Sequence, residues 1–308
     1  MSIIGPSPYD SSKPVNIGHR GFRGSYPENT MLALREGIKA GATIVETDIQ
    51  LASDNVVVMC HDVTTGRCFD SNVVVEETPY HGGLEKLRTK DSFKEPMPTL
   101  KQVCEMIINE PEASNAMLMI DIKRSNGPRV VSFVIEVLKS VAPLEVWKKR
   151  CVLGVWRLNV MHKVVELAPE LDVVFIGFQL KLARKFLEFE QTKGISMNYA
   201  CYAVRGGPEI IDAARAKHVK IYSWTINHPE AMKWAVASRI NGVITDHPDL
   251  FQNFLNTISE KDMFSEYFTS NPYKFYSTWD QVQHYCMYLV ANAFFFLSDS
   301  FPKLFRGV

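Results

Sequence analysis

GATIVETDIQLASDNVVVMCHD, residues 41–62, is the stretch whose reading decides the fold. The β-branched run Thr43 to Ile49 reads as one strand and Val56 to His61 as another, with only Asp54-Asn55 marking a turn between them. A link this short cannot make a parallel crossover, which needs a dozen residues or more, so the second run must turn back as a β-hairpin. A register that pairs Asp54 with Asn55 also pairs Asp48 with His61, with Cβ atoms about 5 Å apart.

Outward from this hairpin, the chain alternates. Short apolar runs at Val15 to Ile17, Met117 to Ile122, Val152 to Val155, Val173 to Ile176, Met197 to Tyr202, Lys220 to Trp224 and Gly242 to Ile244 join Thr43 to Ile49 as eight candidate parallel strands. Helical patterns separate most of them. Met31, Leu34 and Ile38 are closed by Gly41, and Val130, Phe133, Val134 and Val137 follow the Gly127-Pro128 break. With the hairpin set aside, eight βα units predict a TIM (β/α)8 barrel with its active site at the carboxyl ends of the strands. A doubly wound sheet is the alternative. Residues 63–98 interrupt the alternation as a long loop, and a loop of that length in a compact domain is usually functional; a variable surface loop is the other reading.

The chemically able residues fall at the strand ends. Glu46 and Asp48, two apart in a strand, point to the same face and repel each other unless a cation lies between them. Asp121 can supply a third oxygen. An all-oxygen set favours Ca²⁺ or Mg²⁺, with calcium preferred, over zinc. His19 and His61 are the candidate general acid and base, because imidazole titrates near neutrality. Arg20 and Lys123 offer positive charge to a phosphate. Trp224 reads as either a cleft residue or a core aromatic. Glu28 and Asn29 suit the start of the following helix, Asn29 as its cap, and Asp246 suits the cap of a closing helix. Cys60 faces away from His61 and is assigned no chemistry.

The succession Gly18-His19-Arg20-Gly21, Pro27-Glu28-Asn29-Thr30, Glu46-Thr47-Asp48 and His61-Asp62, followed by Ile120-Asp121-Ile122-Lys123, Ser223-Trp224-Thr225-Ile226-Asn227 and Gly242-Val243-Ile244-Thr245-Asp246-His247-Pro248-Asp249, resembles the glycerophosphodiester phosphodiesterase family. With its aromatic extension the chain is most similar to the fungal phosphatidylglycerol phospholipase C branch. The resemblance implies catalytic His19 and His61, a metal held by Glu46, Asp48 and Asp121, and substrate contacts from Arg20, Lys123 and Trp224. The family's third metal carboxylate is often glutamate, and here it is aspartate. The implied path is attack on phosphorus by the glycerol 2-hydroxyl, a cyclic phosphate, and ring opening by water. Phosphatidylglycerol carries that hydroxyl and would give diacylglycerol and glycerol phosphate. Residues 63–98 resemble the insertion that family members carry over the active-site mouth.

The bulk properties set limits. In 308 residues, 34 Lys and Arg balance 34 Asp and Glu, so no global field draws nucleic acid and an anionic ligand must be met by local charges. Cysteines 60, 68, 104, 151, 201 and 286 show no zinc spacing and read as reduced thiols. The first fifteen residues lack the apolar segment of a cleaved signal. The expected layout is a barrel domain over 1–254 and an aromatic extension over 255–308. In that extension Phe264, Tyr267, Phe268, Tyr273, Phe275, Tyr276, Trp279, Tyr285 and Tyr288 precede Phe294-Phe295-Phe296, and Lys303 and Arg306 could meet anionic lipid. Its most apolar part, Tyr285 to Leu297, spans about 20 Å as a helix, short of a hydrocarbon core of about 30 Å. It predicts an interfacial anchor on an intracellular membrane (ER, mitochondrial or lipid-droplet surface); packing on the barrel is the alternative. The competing functions are a cytosolic hydrolase of deacylated diesters and a non-catalytic, membrane-docked binding protein. A toxin-like phospholipase D also resembles the family, but such enzymes are secreted and disulfide-bonded.

Overall fold

The computed structural model describes residues 13–259 and a helix at Thr278–Ser300. Eight parallel strands close into a barrel: β1 (Val15–Gly18), β2 (Ile44–Leu51), β4 (Met117–Ile122), β5 (Cys151–Val155), β6 (Val173–Gly177), β7 (Thr192–Asn198), β8 (Lys220–Trp224) and β9 (Gly242–Thr245), with β1 pairing both β9 and β2. A ninth strand, β3 (Val57–Met59), runs antiparallel on β2. The principal helices between strands are α1 (Met31–Lys39), α2 (Leu100–Asn109), α3 (Val130–Val141), α4 (Leu144–Arg150), α5 (Leu158–Leu167), α6 (Leu180–Phe186), α7 (Tyr199–Ala203), α8 (Gly207–Ala216) and α9 (Pro229–Ala237); α10 (Pro248–Thr257) follows β9. This is the expected TIM barrel.

Strand alternation divides the core in two. Inward residues Ile17, Ile44, Met119, Val152, Val174 and Ile244 form one apolar cluster, and outward neighbours such as Val45, Leu118, Ile120 and Leu153 pack in a second cluster with the helices. Tyr222 is fully buried within the inward-facing cluster. A Cβ at Gly194 or Gly242 would lie 2.7 or 2.6 Å from its ring, so the bare glycine backbone makes room for it.

Two sequence expectations need correction. The hairpin loop has three residues, Ser53-Asp54-Asn55, closed by Ala52 N–H to Val56 O at 2.9 Å, and Asn55 is left-handed at φ 65°. That is a turn ending in an αL residue rather than a two-residue loop. The register therefore slips by one: Ile49 opposes Met59, the Cys60 N–H bonds Asp48 O at 3.1 Å, and His61 lies beyond the paired residues. The run Met197 to Tyr202 is also not one strand. β7 starts at Thr192 and stops at Asn198, whose side chain accepts from Ala200 N–H and starts α7.

Residues 63–98 fold over a small core of their own, in which Phe69, Val75, Leu84 and Met97 pack on Val58 and Cys60 of the hairpin. The C-terminal helix, α11 (Thr278–Ser300), packs along α7, and its Tyr288 reaches the main core while Val282, Tyr285, Leu289, Val290 and Leu297 stay exposed. Among the described residues no helix is long and apolar enough to cross a membrane. Phe264, Tyr267, Phe268, Tyr273, Phe275, Tyr276, Lys303 and Arg306 lie outside the described residues.

Candidate active site

Parity along the strands builds the site. Ile44, Glu46 and Asp48 all point into the barrel, as do Met119 and Asp121, so the carboxylates stand at the carboxyl end above an apolar floor. Asp48 and Asp121 are direct register partners, and ligand oxygens of Glu46, Asp48 and Asp121 all lie within 4.8 Å of one another. Aspartate at the third position is therefore long enough. Burial first, and then the charges of Asp48 and Asp121, push Glu46 well above the usual carboxylate range. Burial likewise raises Asp121. Three crowded, buried oxygen donors of this kind fit a hard divalent cation, which would relieve their mutual repulsion.

Cations already frame the cluster. The Lys123 ammonium lies 3.3 Å from Asp48 and 3.2 Å from Asp121, and sits over the Trp156 ring. Arg20 Nε is 3.2 Å from Asp48, while the Arg20 backbone N–H donates to Glu46 at 2.8 Å. Burial alone would raise Asp48, but Lys123, Arg20 and His61 outweigh it and hold this carboxyl far below its ordinary range. Arg20 (φ 52°) and Gly21 (φ 84°) are consecutive left-handed residues. A Cβ on Gly21 would meet the Ala33 carbonyl at 2.5 Å, so glycine lets this turn lie against α1.

Each histidine has a carboxylate behind it. His19 Nδ1 is 2.6 Å from Asp246, and Asp246 also accepts from Asn227 at 2.8 Å. Burial lowers the His19 pKa below its ordinary value, against the pull of Asp246. His61 Nδ1 is 2.6 Å from Asp62, whose other oxygen accepts from Arg67 Nε at 2.6 Å. The His61 hydrogen bond, with help from Arg67, holds Asp62 below its usual range. In both histidines Nδ1 is engaged, which leaves Nε2 as the nitrogen for external chemistry.

Of the residues singled out from sequence, Arg20, Glu46, Asp48, Asp121 and Lys123 are joined by direct contacts, and both His19 and His61 act electrostatically on Asp48 or are acted on by it. Trp224 is one ring removed from them. Its ring meets Phe178 at 5.0 Å and Trp156 at 6.1 Å, and it is Trp156 whose indole N–H reaches Asp121, at 2.6 Å.

Three roles inferred from sequence were too local. Glu28 does not serve the helix start; it accepts from Arg20 at 2.7 Å and from both terminal nitrogens of Arg67. Thr30, not Asn29, caps α1. Asn29, left-handed at φ 58°, instead donates to Asp48 at 2.9 Å and accepts from Thr47 and the Asp48 N–H. Asp246 makes no cap on α10; it holds His19. Glu28, Asn29, Asp62 and Asp246 were all visible in the quoted motifs. Arg67 and Trp156 lie outside those motifs.

The comparisons agree with this geometry. A profile described as the Glycerophosphoryl diester phosphodiesterase family matches residues 19–250. The chain is 24% identical over 255 residues to a glycerophosphodiester phosphodiesterase of Caldanaerobacter subterraneus, covering 79% of this chain and 98% of that one. It is also 24% identical over 282 residues to human lysophospholipase D GDPD1, covering 79% and 87%. Among solved structures, an Oleispira antarctica phosphodiesterase in complex with the product sn-glycerol-3-phosphate matches with a TM-score of 0.69 at 22% identity, over 82% of this chain and all of that one. A putative glycerophosphoryl diester phosphodiesterase from Silicibacter pomeroyi matches with a TM-score of 0.67 at 17% identity, over 82% and 94%. These structural likenesses speak for the barrel. The sequence match spans most of the described chain and runs through every residue of the carboxylate cluster, so this protein belongs to the glycerophosphoryl diester phosphodiesterase family, hydrolases of phosphoric diesters.

Proposed function

We propose that the chain is a metal-dependent phospholipase C that hydrolyses phosphatidylglycerol to diacylglycerol and glycerol phosphate. The supporting observation is the pair of Nδ1-anchored imidazoles, His19 and His61, around one buried carboxylate cluster beside two cations. One imidazole removes the proton of the glycerol 2-hydroxyl, which attacks phosphorus, and the other protonates the departing alcohol. The cyclic phosphate is then opened by water with the two roles exchanged. Arg20 and Lys123 meet the charge that develops on the phosphoryl oxygens. Glu46, Asp48 and Asp121 would hold the Ca²⁺ or Mg²⁺, whose charge supports ionisation of the hydroxyl.

The acylated substrate is supported by α11, which packs on α7 at the rim where β7 ends and leaves Val282, Leu289, Val290 and Leu297 exposed. In this reading residues 255–308 dock the enzyme on an intracellular membrane surface, and Trp224 and Trp156 line the substrate cleft. The second reading is a hydrolase of deacylated glycerophosphodiesters, favoured by the name of the Caldanaerobacter relative. The lysophospholipase D name of the human relative speaks for a lipid substrate. Membership of a hydrolase family leaves no support for a non-catalytic binding protein.

The test is product analysis with purified protein, phosphatidylglycerol vesicles and glycerophosphoglycerol, with and without chelator. Diacylglycerol and glycerol phosphate from the vesicles, lost on chelation, are the expected result. Turnover of glycerophosphoglycerol alone establishes the second reading, and equal turnover of a head-group analogue without the 2-hydroxyl overturns the cyclic route.

A further inference from the structure

One guanidinium outside the predicted site touches both halves of it. Arg67 Nε donates to Asp62 at 2.6 Å, and its Nη1 and Nη2 form a fork on Glu28 at 2.8 and 2.7 Å. Asp62 holds His61, whereas Glu28 holds Arg20, which in turn touches Glu46 and Asp48. All three donor groups of Arg67 are thereby committed to protein carboxylates. Arg67 and Glu28 are 39 residues apart in the chain, so the fork is a tertiary contact and not a local turn contact.

The placement of Arg67 comes from the insertion. The Thr65 hydroxyl donates to Ser71 O at 2.6 Å and accepts from Val73 N–H at 3.0 Å, and the Gly66 N–H reaches the Asn72 side chain at 3.1 Å. Phe69, 3% exposed, pins the same loop into the small core beneath the hairpin. Arg67 is thus presented on a tied loop with its own apolar anchor.

We propose that Arg67 is a positioning residue of the phosphodiesterase reaction, holding the His61–Asp62 pair in register with the Arg20 end of the carboxylate cluster. The proposal rests on the reading of His61 as an acid-base group. A planar fork can hold Glu28 and Asp62 together at fixed angles, which a lysine ammonium cannot do. Loss of the fork frees Asp62 to turn, and the His61 ring with it. Misplaced proton transfer lowers turnover more than it lowers substrate binding.

The test uses the full chain with His61→Ala, Arg67→Met, Arg67→Lys, Asp62→Asn and the Arg67→Met/Asp62→Asn double variant, reading kcat, KM and thermal midpoint. The expected loss in kcat for Arg67→Met is about 10- to 100-fold, the range for groups that orient functional ligands, with KM changed less than about threefold. Arg67→Lys keeps the charge and is expected to fold as the wild type while still losing kcat. The double variant is expected to be no worse than Asp62→Asn alone, because both remove one restraint. Wild-type kcat in either Arg67 variant, or losses that multiply in the double variant, overturns the proposal. Activity retained by His61→Ala overturns the underlying assignment instead.

Discussion

At the scale of single residues, the site is a set of charges that depend on one another. Asp246 holds His19 through Nδ1 and is itself held by Asn227, so Asp246→Asn would offer the imidazole an amide in place of an acceptor-only carboxylate. Turnover is expected to fall about 10- to 100-fold with little change in folding, checked by kcat beside a thermal scan. Glu28 allows a pH prediction. Burial would raise its carboxyl, but Arg67 and Arg20 bring it down to about 2 from 4.5. A carboxyl depressed in the folded state contributes stability above its unfolded value and loses it as pH falls toward the folded one. The wild type should therefore lose stability between pH 4.5 and about 2. The Glu28 share is at most on the order of 3 kcal/mol, reduced by screening on the half-exposed Arg67 side. Glu28→Gln should flatten that part of a urea-unfolding series against pH.

At the scale of elements, the β2–β3 hairpin shows how far sequence pattern reaches. The antiparallel return was legible because no crossover fits in so short a link. Its register was not, because Asn55 as a left-handed third loop residue cannot be told from Asn55 as half of a tight pair by spacing alone. Asn55→Val should cost roughly 1–2 kcal/mol, measured by chemical denaturation, because a β-branched residue resists that conformation. Asn55→Gly should cost little. β7 misled for a different reason: Gly194 and the polar Thr192, Lys193 and Ser196 dilute its apolar pattern, while Tyr199 to Tyr202 look strand-like in composition and are turned into helix by the Asn198 cap. The metal-type cluster was legible because a two-residue spacing in a strand has only one geometric outcome. The partners of that cluster were not, since Glu28, Asn29 and Asp246 each fit an ordinary local role as helix-end residues.

At the scale of the whole molecule, the barrel brings together residues from β2, β4 and the segments after β1, β3 and β9, and the insertion braces them from outside. α11 gives this scale its own prediction. Replacing exposed Val290 and Leu297 with glutamate should reduce retention on phosphatidylglycerol vesicles at least tenfold in sedimentation, because each such side chain contributes about 1.5–3 kcal/mol on leaving water. Hydrolysis of glycerophosphoglycerol should be unchanged. Equal retention would assign α11 to packing on the barrel.

The apolar floor formed by Ile17, Ile44, Met119, Val152 and their neighbours closes the cylinder below the carboxylates. Traffic is then one-way in, same-way out: a departing alcohol and the water that replaces it must share a doorway, and the two half-reactions become sequential visits to one berth. A small added alcohol such as methanol should occupy that berth in place of water and leave as a methyl phosphodiester of glycerol. Its share of product should grow with alcohol concentration, a partition that phosphorus NMR would read directly.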